Sequence, residues 1–296
     1  MKFNLPVESV DKCIICSNSR CRPDLKFARR LGLIPPYGIQ RCDRCGLRWL
    51  SPRPTAAAYQ DLYSRNSYFD GPRAVESYEM LAWRRSRVFK MRVKNIEKHF
   101  SSRPLRIMDV GAATGEFVIE AIRRGHDAMG MELSSDARKI AETKYGLVLQ
   151  GPLVWEETIE ESYDVIHMNH VFEHLPNPEY ILERSFMALR PGGLLVMEVP
   201  QQFENDLDRL KRILRLSVKP DFNPYSLHHT YFYSWTTLKG LLEKHLFHIL
   251  RFRTANPGLT PLRVFSVKNA LLRVFLWLSD KIHHGGNILE VYARKI

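Results

Sequence analysis

The sequence predicts an α/β chain built on a doubly wound, mostly parallel sheet, and three segments carry that prediction. The first is Leu105–Val110, a short apolar run that reads as a buried strand. It ends in the small-residue turn Gly111-Ala112-Ala113-Thr114-Gly115. A helical pattern follows, with Phe117, Ile119, Ala121 and Ile122 interleaved with Glu120, Arg123 and Arg124. The second is Y-D-V-I-H-M-N-H-V-F-E-H-L (163–175), whose apolar core Val165–Met168 leads into Asn169, His170, Glu173 and His174. The third is L-R-P-G-G-L-L-V-M-E-V-P (189–200), a helix end, a Pro-Gly-Gly turn and another buried strand. Strand, tight glycine turn and helix is how an open parallel sheet builds a nucleotide site.

The turn after the first strand selects its ligand. A dinucleotide fingerprint needs three glycines and seats a pyrophosphate on a helix N-terminus. Here the third glycine is missing, and the carboxylates of Asp109 and Glu116 flank the turn, where they repel phosphate and suit a cation. S-adenosylmethionine (SAM) has no phosphate and carries an ammonium and a sulfonium. Glu132, after D-A-M-G-M, lies 17 residues beyond Gly115. That is close to the roughly 20-residue spacing of a carboxylate that binds ribose hydroxyls.

Together D-V-G-A-A-T-G (109–115), M-E-L-S with Glu132, D-V-I-H-M-N-H-V-F-E-H-L and R-P-G-G-L-L-V-M-E-V-P resemble the motifs of class I SAM-dependent methyltransferases, over about residues 85–296. The resemblance implies a Rossmann-like, seven-stranded sheet. It implies a SAM site at Asp109, Gly111, Ala113, Gly115, Glu132, Gln150 and Asn169. Ala113 stands where the family has the middle glycine of G-x-G-x-G, and Gln150 is the polar group that the adenine-side motif offers. It also implies that F-H-I-L-R-F-R (247–253) and N-I-L-E-V-Y-A-R (287–294) are the last two strands, paired antiparallel.

Composition bounds the rest. A chain of 296 residues, 45% hydrophobic and 11% aromatic, is globular and long enough for one large domain and a small one. The first 30 residues are polar and basic, and no run of about 18 uncharged apolar residues exists to span a bilayer. A cytoplasmic protein is the expectation. The net charge of +12 divides unevenly: +12 over residues 1–104, −8 over 105–200 and +8 over 201–296. An acidic centre suits a cationic cofactor, and basic flanks suit an anionic substrate or surface.

Four of the five cysteines form two knuckles, Cys13-x-x-Cys16 and Cys42-x-x-Cys45-Gly46. Each puts two thiolates on one tight turn, and two turns complete a tetrahedron, so Cys13, Cys16, Cys42 and Cys45 are expected to bind a structural Zn²⁺ with no open position. Cys21 is spare. With W-L-S-P-R-P (49–54) after them, the knuckles resemble the zinc ribbons that precede methyltransferase domains in polysaccharide and natural-product pathways. The domain expectation is a zinc ribbon at 1–54, a helical linker or cap at 55–100, and a SAM-binding domain at 101–296 with helical insertions near 201–224 and 257–284. Arg84, Arg85, Arg87, Lys90, Arg92, Lys94 and Lys98 crowd the helix 78–99, which reads as a solvated cap or a phosphate-facing surface. By the same resemblance, Tyr68 and Phe69 help to close over the cofactor.

Two histidines are candidate general bases. His170 stands at the carboxyl end of a strand, and His229 lies in S-L-H-H-T-Y-F-Y-S (226–234), which resembles an H-x-x-x-F/Y-S element that faces the substrate in small-molecule methyltransferases. Glu173 and His174 read as structural residues at a helix start. The basic amphipathic segments 207–219 and 261–282 suggest a lid, a dimer face or a peripheral contact with anionic lipid at the inner membrane face. The expected function is SAM-dependent O-methylation of a small molecule or glycan, such as a nucleotide- or lipid-linked sugar. One alternative is an RNA methyltransferase. The nucleic-acid reading is weakened because no N-P-P-Y-type tetrapeptide and no cysteine follows the strand ending at Asn169. The other alternative is an inactive SAM-fold module that docks a partner through its ribbon.

Overall fold

The structure is a computed structural model that describes residues 5–59, 87–151, 160–202, 227–255, 274, 278 and 285–296. Tyr68, Phe69, Arg84 and Arg85, and nearly all of the two expected helical insertions, lie outside these residues. By contacts the chain divides into two compact units. One holds 1–55, 170–179 and 197–293; the other holds 56–169, 180–196 and 294–296.

The second unit contains the nucleotide-site architecture. β6 (Arg106–Val110) is a five-residue strand buried from Ile107 onward, as its apolar run requires. It pairs in parallel with β7 (Asp127–Met131) on one side and β8 (Tyr163–Asn169) on the other. In that register Asp109 stands level with Gly130 and with His167. The chain runs from β6 outward to β7 and then crosses back to β8, so a topological switch point lies at the carboxyl ends of β6 and β8, where open α/β sheets bind their ligands. α2 (Glu116–Arg123) starts at Gly115, which is left-handed at φ 84°. Phe117, Val118 and Ala121 form its buried face. A helix over 87–97 buries Phe89, Arg92, Val93, Ile96 and Glu97.

The full sheet has six strands in the order β11-β12-β9-β8-β6-β7, with β9 at Leu189–Pro200, β11 at Phe247–Ala255 and β12 at Ile288–Lys295. This is the expected mostly parallel, doubly wound sheet with one difference. At the outer edge of β7 the seventh strand is reduced, among the described residues, to a single parallel bridge between Met131 and Gln150. The sequence there is Leu149-Gln150-Gly151-Pro152.

The first unit carries the cysteine knuckles. β2 (Cys21–Pro23), β3 (Ile39–Cys42) and β4 (Arg48–Leu50) form an antiparallel ladder, and β10 (Tyr231–Phe232) joins it as the fourth strand, with Tyr231 opposite Trp49. α1 (Leu25–Arg30) is capped by Asp24, which accepts the Phe27 N–H and pairs with Arg48 at 2.8 Å. Phe27, Tyr37, Ile39, Leu50, Leu227 and Phe232 make one core, so residues far apart in the chain share it.

Candidate active site and metal centre

The turn after β6 uses up its own amide groups. Gly111 and Ala112 both donate to the Met131 carbonyl at 2.9 Å, Gly115 donates to the Ala112 carbonyl at 2.8 Å, and Ala113 donates to Glu132 Oε2 at 2.9 Å. A pyrophosphate loop keeps such N–H groups for oxyanions. Here backbone carbonyls take three of them and the Glu132 carboxylate takes that of Ala113, which disfavours phosphate and fits the SAM reading. Glu132 also accepts the Ser134 N–H at 2.8 Å. Burial raises its pKa, and these backbone N–H groups oppose the shift. Each carboxylate oxygen keeps a further lone pair, which is what a ribose hydroxyl needs. Gln150 is fixed beside Glu132 by backbone: Glu132 N–H donates to the Gln150 carbonyl and Gln150 N–H to the Gly130 carbonyl, each at 2.9 Å. Glu116 is buried and accepts from the Thr114 hydroxyl at 2.6 Å.

Three groups that sequence reasoning missed support this turn. His167 Nδ1 lies 2.7 Å from Asp109 Oδ1. Arg92 Nη1 lies 3.3 Å from His167 Nε2 and donates to Asn169 Oδ1 at 2.7 Å. A guanidinium only donates, so Nε2 is the acceptor and the His167 proton sits on Nδ1, facing Asp109. The ring stacks on Phe117 at 3.7 Å between centroids. Arg92 is thus an inward-facing anchor, where the sequence reads it as part of a surface charge run. The signal was available: it falls on the same helical face as Phe89, Val93 and Ile96. Gly130 is the third. A Cβ there would come within 2.7 Å of Ala112 Cβ and of Leu149 Cδ2, so the turn can close onto β7 only over a glycine.

The two candidate bases lie in the other unit, inside a cluster. His170 immediately follows Asn169 in the chain and has a left-handed backbone, φ 54°. Its Nε2 is 3.1 Å from Glu198 Oε1 and its Nδ1 is 3.4 Å from Glu173 Oε1. Burial disfavours its charge, but Glu173 and Glu198 outweigh burial and raise its pKa well above the usual imidazole range. With a carboxylate oxygen facing each ring nitrogen, the surroundings of His170 favour the imidazolium. His229 is the opposite case. Burial, then the neighbouring His174, lower its pKa to about 4. Its Nδ1 lies 3.0 Å from Gln202 Oε1. With the amide oxygen accepting, the proton sits on Nδ1 and the lone pair on Nε2. Glu173 is only 1% exposed; burial pushes it up, but His170, His174 and His229 together hold it below the ordinary glutamate value. The rest of the 226–234 element is structural. Ser234 caps α5 (Trp235–Lys244) through a capping box with Thr237, and Tyr233 is fully buried.

The four knuckle cysteines converge, their sulfurs within 4.8 Å of one another. Cys13 and Cys45 sulfurs are 3.4 Å apart, and Cys16 and Cys42 are 3.5 Å apart. A tetrahedron of thiolates about 2.3 Å from zinc spaces its sulfurs by about 3.8 Å, so the set fits a structural zinc ion. Left-handed residues close each knuckle, Ser17 at φ 53° and Gly46 at φ 79°. The Cys45 thiol lowers the Cys13 pKa and so favours its thiolate. Cys21 stands across from Cys42 in the β2–β3 ladder but stays outside the cluster, its thiol 3.4 Å from the Asn18 carbonyl. Burial pushes its pKa up to about 11.

Comparison with known proteins agrees with this architecture. A methyltransferase-domain family model matches residues 80–251. A ubiquinone biosynthesis O-methyltransferase of Hydrogenovibrio crunogenus is 29% identical over 110 residues, covering 35% of this chain and 46% of that protein. A trans-aconitate 2-methyltransferase of Deinococcus radiodurans is 31% identical over 109 residues, covering 36% and 42%. The chain thus spans about half the length of the curated relatives it matches. Among solved structures, phosphoethanolamine N-methyltransferase 2 of Haemonchus contortus, in complex with SAM, shares the fold. Its TM-score is 0.53 at 16% identity, over 84% of this chain and 62% of that one. A SAM-dependent methyltransferase from Archaeoglobus fulgidus gives 0.50 at 20% identity, over 71% and 94%. A parallel sheet with its switch point at β6 and β8, a turn whose Ala113 amide is held by the Glu132 carboxylate, and a family match over more than half the chain place this protein in the SAM-dependent methyltransferases.

Proposed function

We propose that the chain methylates a hydroxyl of a small-molecule or glycan acceptor, such as a nucleotide- or lipid-linked sugar. The observation that carries this is His229, a half-buried imidazole whose Nδ1 lies 3.0 Å from Gln202 Oε1, which leaves its lone pair on Nε2. A hydroxyl acceptor needs such a lone pair, whereas a neutral amine is already nucleophilic. SAM, when bound, supplies an activated methyl carbon whose transfer depends mainly on in-line positioning. Asp109, Gly111, Ala113, Gly115, Glu132, Gln150 and Asn169 hold it in this reading, with Glu132 toward the ribose hydroxyls. His229 accepts the hydroxyl proton in this reading, while His170 is held between Glu173 and Glu198. Two relatives whose names denote small-molecule methylation, one an O-methyltransferase of ubiquinone biosynthesis and one a trans-aconitate 2-methyltransferase, support the acceptor class.

The zinc-ribbon region 1–54 with its four cysteines, the domain limits drawn from the sequence, a polysaccharide setting and contact with anionic lipid belong to the same proposal. Among the described residues no helix is long and apolar enough to cross a membrane. The test is methyl transfer from labelled SAM to a panel of sugar nucleotides, lipid-linked sugars and phenols. His229→Ala is expected to cut turnover at least tenfold without changing SAM affinity measured by calorimetry. Transfer to RNA alone, or unchanged turnover in His229→Ala, would remove this reading.

A further inference from the structure

We propose that Glu173, His174 and His229 form a binding site for a first-row divalent cation, separate from the four-cysteine centre. One ligand atom from each of the three residues lies within 4.8 Å of the other two. The Glu173 side chain is only 2% exposed, and neither of its carboxylate oxygens makes a hydrogen bond. A buried carboxylate left without hydrogen bonds is costly, and coordination to a metal ion would offset that cost. Its Oε1 is 3.7 Å from His174 Nε2, against the roughly 3.3 Å expected between neighbouring ligands on a tetrahedral zinc ion.

The second observation concerns the rings. His174 places Nδ1 2.8 Å from the His228 carbonyl, which can only accept, so its proton is on Nδ1 and its lone pair on Nε2. His229 is set the same way by Gln202 Oε1. Metal-ligating histidines are oriented by this kind of second hydrogen bond, from the non-ligating ring nitrogen to a carbonyl or carboxylate oxygen. Both rings of the cluster have it. Two imidazoles with one carboxylate suit zinc, iron, cobalt or manganese better than magnesium or calcium. Three protein ligands leave a coordination position open, as in catalytic rather than structural sites.

The inference rests on the methyl-transfer reading and changes one role in it. The His229 lone pair would go to the cation, the open position would take the acceptor oxygen, and the hydroxyl proton, made more acidic by the cation, would pass to solvent water. Metal-stripped full-length protein would be titrated with Co²⁺. Thiolate-to-cobalt charge transfer in the near ultraviolet reports the cysteine centre, and visible bands that grow without it report the Glu173 site. Glu173→Gln and His174→Ala are each expected to abolish the thiolate-free bands while keeping the charge-transfer band, which also shows that the fold persists. Gln202→Leu, which frees the His229 ring, is expected to weaken the same site by about 10–100-fold. Absence of thiolate-free cobalt in the wild type, or its persistence in both ligand variants, would overturn the proposal. Methyl transfer without this site would remove the site and leave the acceptor reading standing. Cobalt binding without transfer to any hydroxyl would do the reverse.

Discussion

Ala113 holds the middle of the cofactor turn at φ 48°, a left-handed conformation that costs a residue with a Cβ about 1–2 kcal/mol. The sequence shows that a small residue stands in a glycine position; the strain becomes visible only with the backbone angle. Ala113→Gly is expected to raise stability by roughly 0.5–1 kcal/mol, the relief of strain less the entropy that glycine loses on folding, read as an upward shift in Tm. Gly130 behaves oppositely. Gly130→Ala forces a methyl against Ala112, Leu149 and Val118, and should cost about 1–3 kcal/mol and weaken SAM binding. Asp109, Glu132 and the glycines were legible because their chemistry is local to one turn. His167 and Arg92 were not, because their partners come from other elements and a motif does not record who faces whom. His170 was legible as a strand-end histidine. Its charge was not, since Glu198 arrives from β9.

At the scale of elements, one carboxylate holds the C-terminal end of the helix over 87–97. Glu97 takes a bidentate pair from Arg124 at 2.8 and 2.6 Å, and a His126 contact at 3.1 Å; Arg103 lies 3.0 Å away. Arg124, followed by the other two, outweighs burial and lowers its pKa. A depressed carboxylate contributes stability that is full above the ordinary glutamate pKa of about 4.3 and is lost as pH falls through its lower folded value. Acid unfolding midpoints should therefore separate wild type from Glu97→Gln. The variant starts roughly 2 kcal/mol less stable at neutral pH and loses that difference below pH ~4. α5 offers a simpler test. Ser234→Ala removes the capping box and should cost about 1 kcal/mol in urea unfolding, with no specific effect on methyl transfer. Strand and helix positions were readable from apolar periodicity. The reduced seventh strand and the short β10 were not, because two residues leave no period to read.

For the molecule as a whole, the cofactor half and the cysteine half are differently legible. The first announces itself through consecutive motifs. The second is assembled from residues 5–55, 170–179 and 197–293, and its signals in the sequence, the cysteine spacing first among them, are scattered along the chain. Because Thr230 accepts the Leu50 N–H at 2.9 Å and donates its own N–H to the Glu173 carbonyl at 2.8 Å, the knuckle region, His229 and Glu173 share one scaffold. Cys42→Ser, or metal removal by chelator, is expected to depress methyl transfer while leaving SAM affinity unchanged, measured by calorimetry alongside turnover. The pairing of Trp49 with Tyr231 also sets an order of events during synthesis. The first strands of the N-terminal sheet leave the ribosome about 180 residues before the strand that completes them, so the region must wait, with its apolar edge open, while the entire cofactor turn is made. A nascent chain cut short before residue 231 would carry a finished SAM turn and an unfinished cysteine sheet, which makes the oldest part of the chain to emerge the last to be sealed.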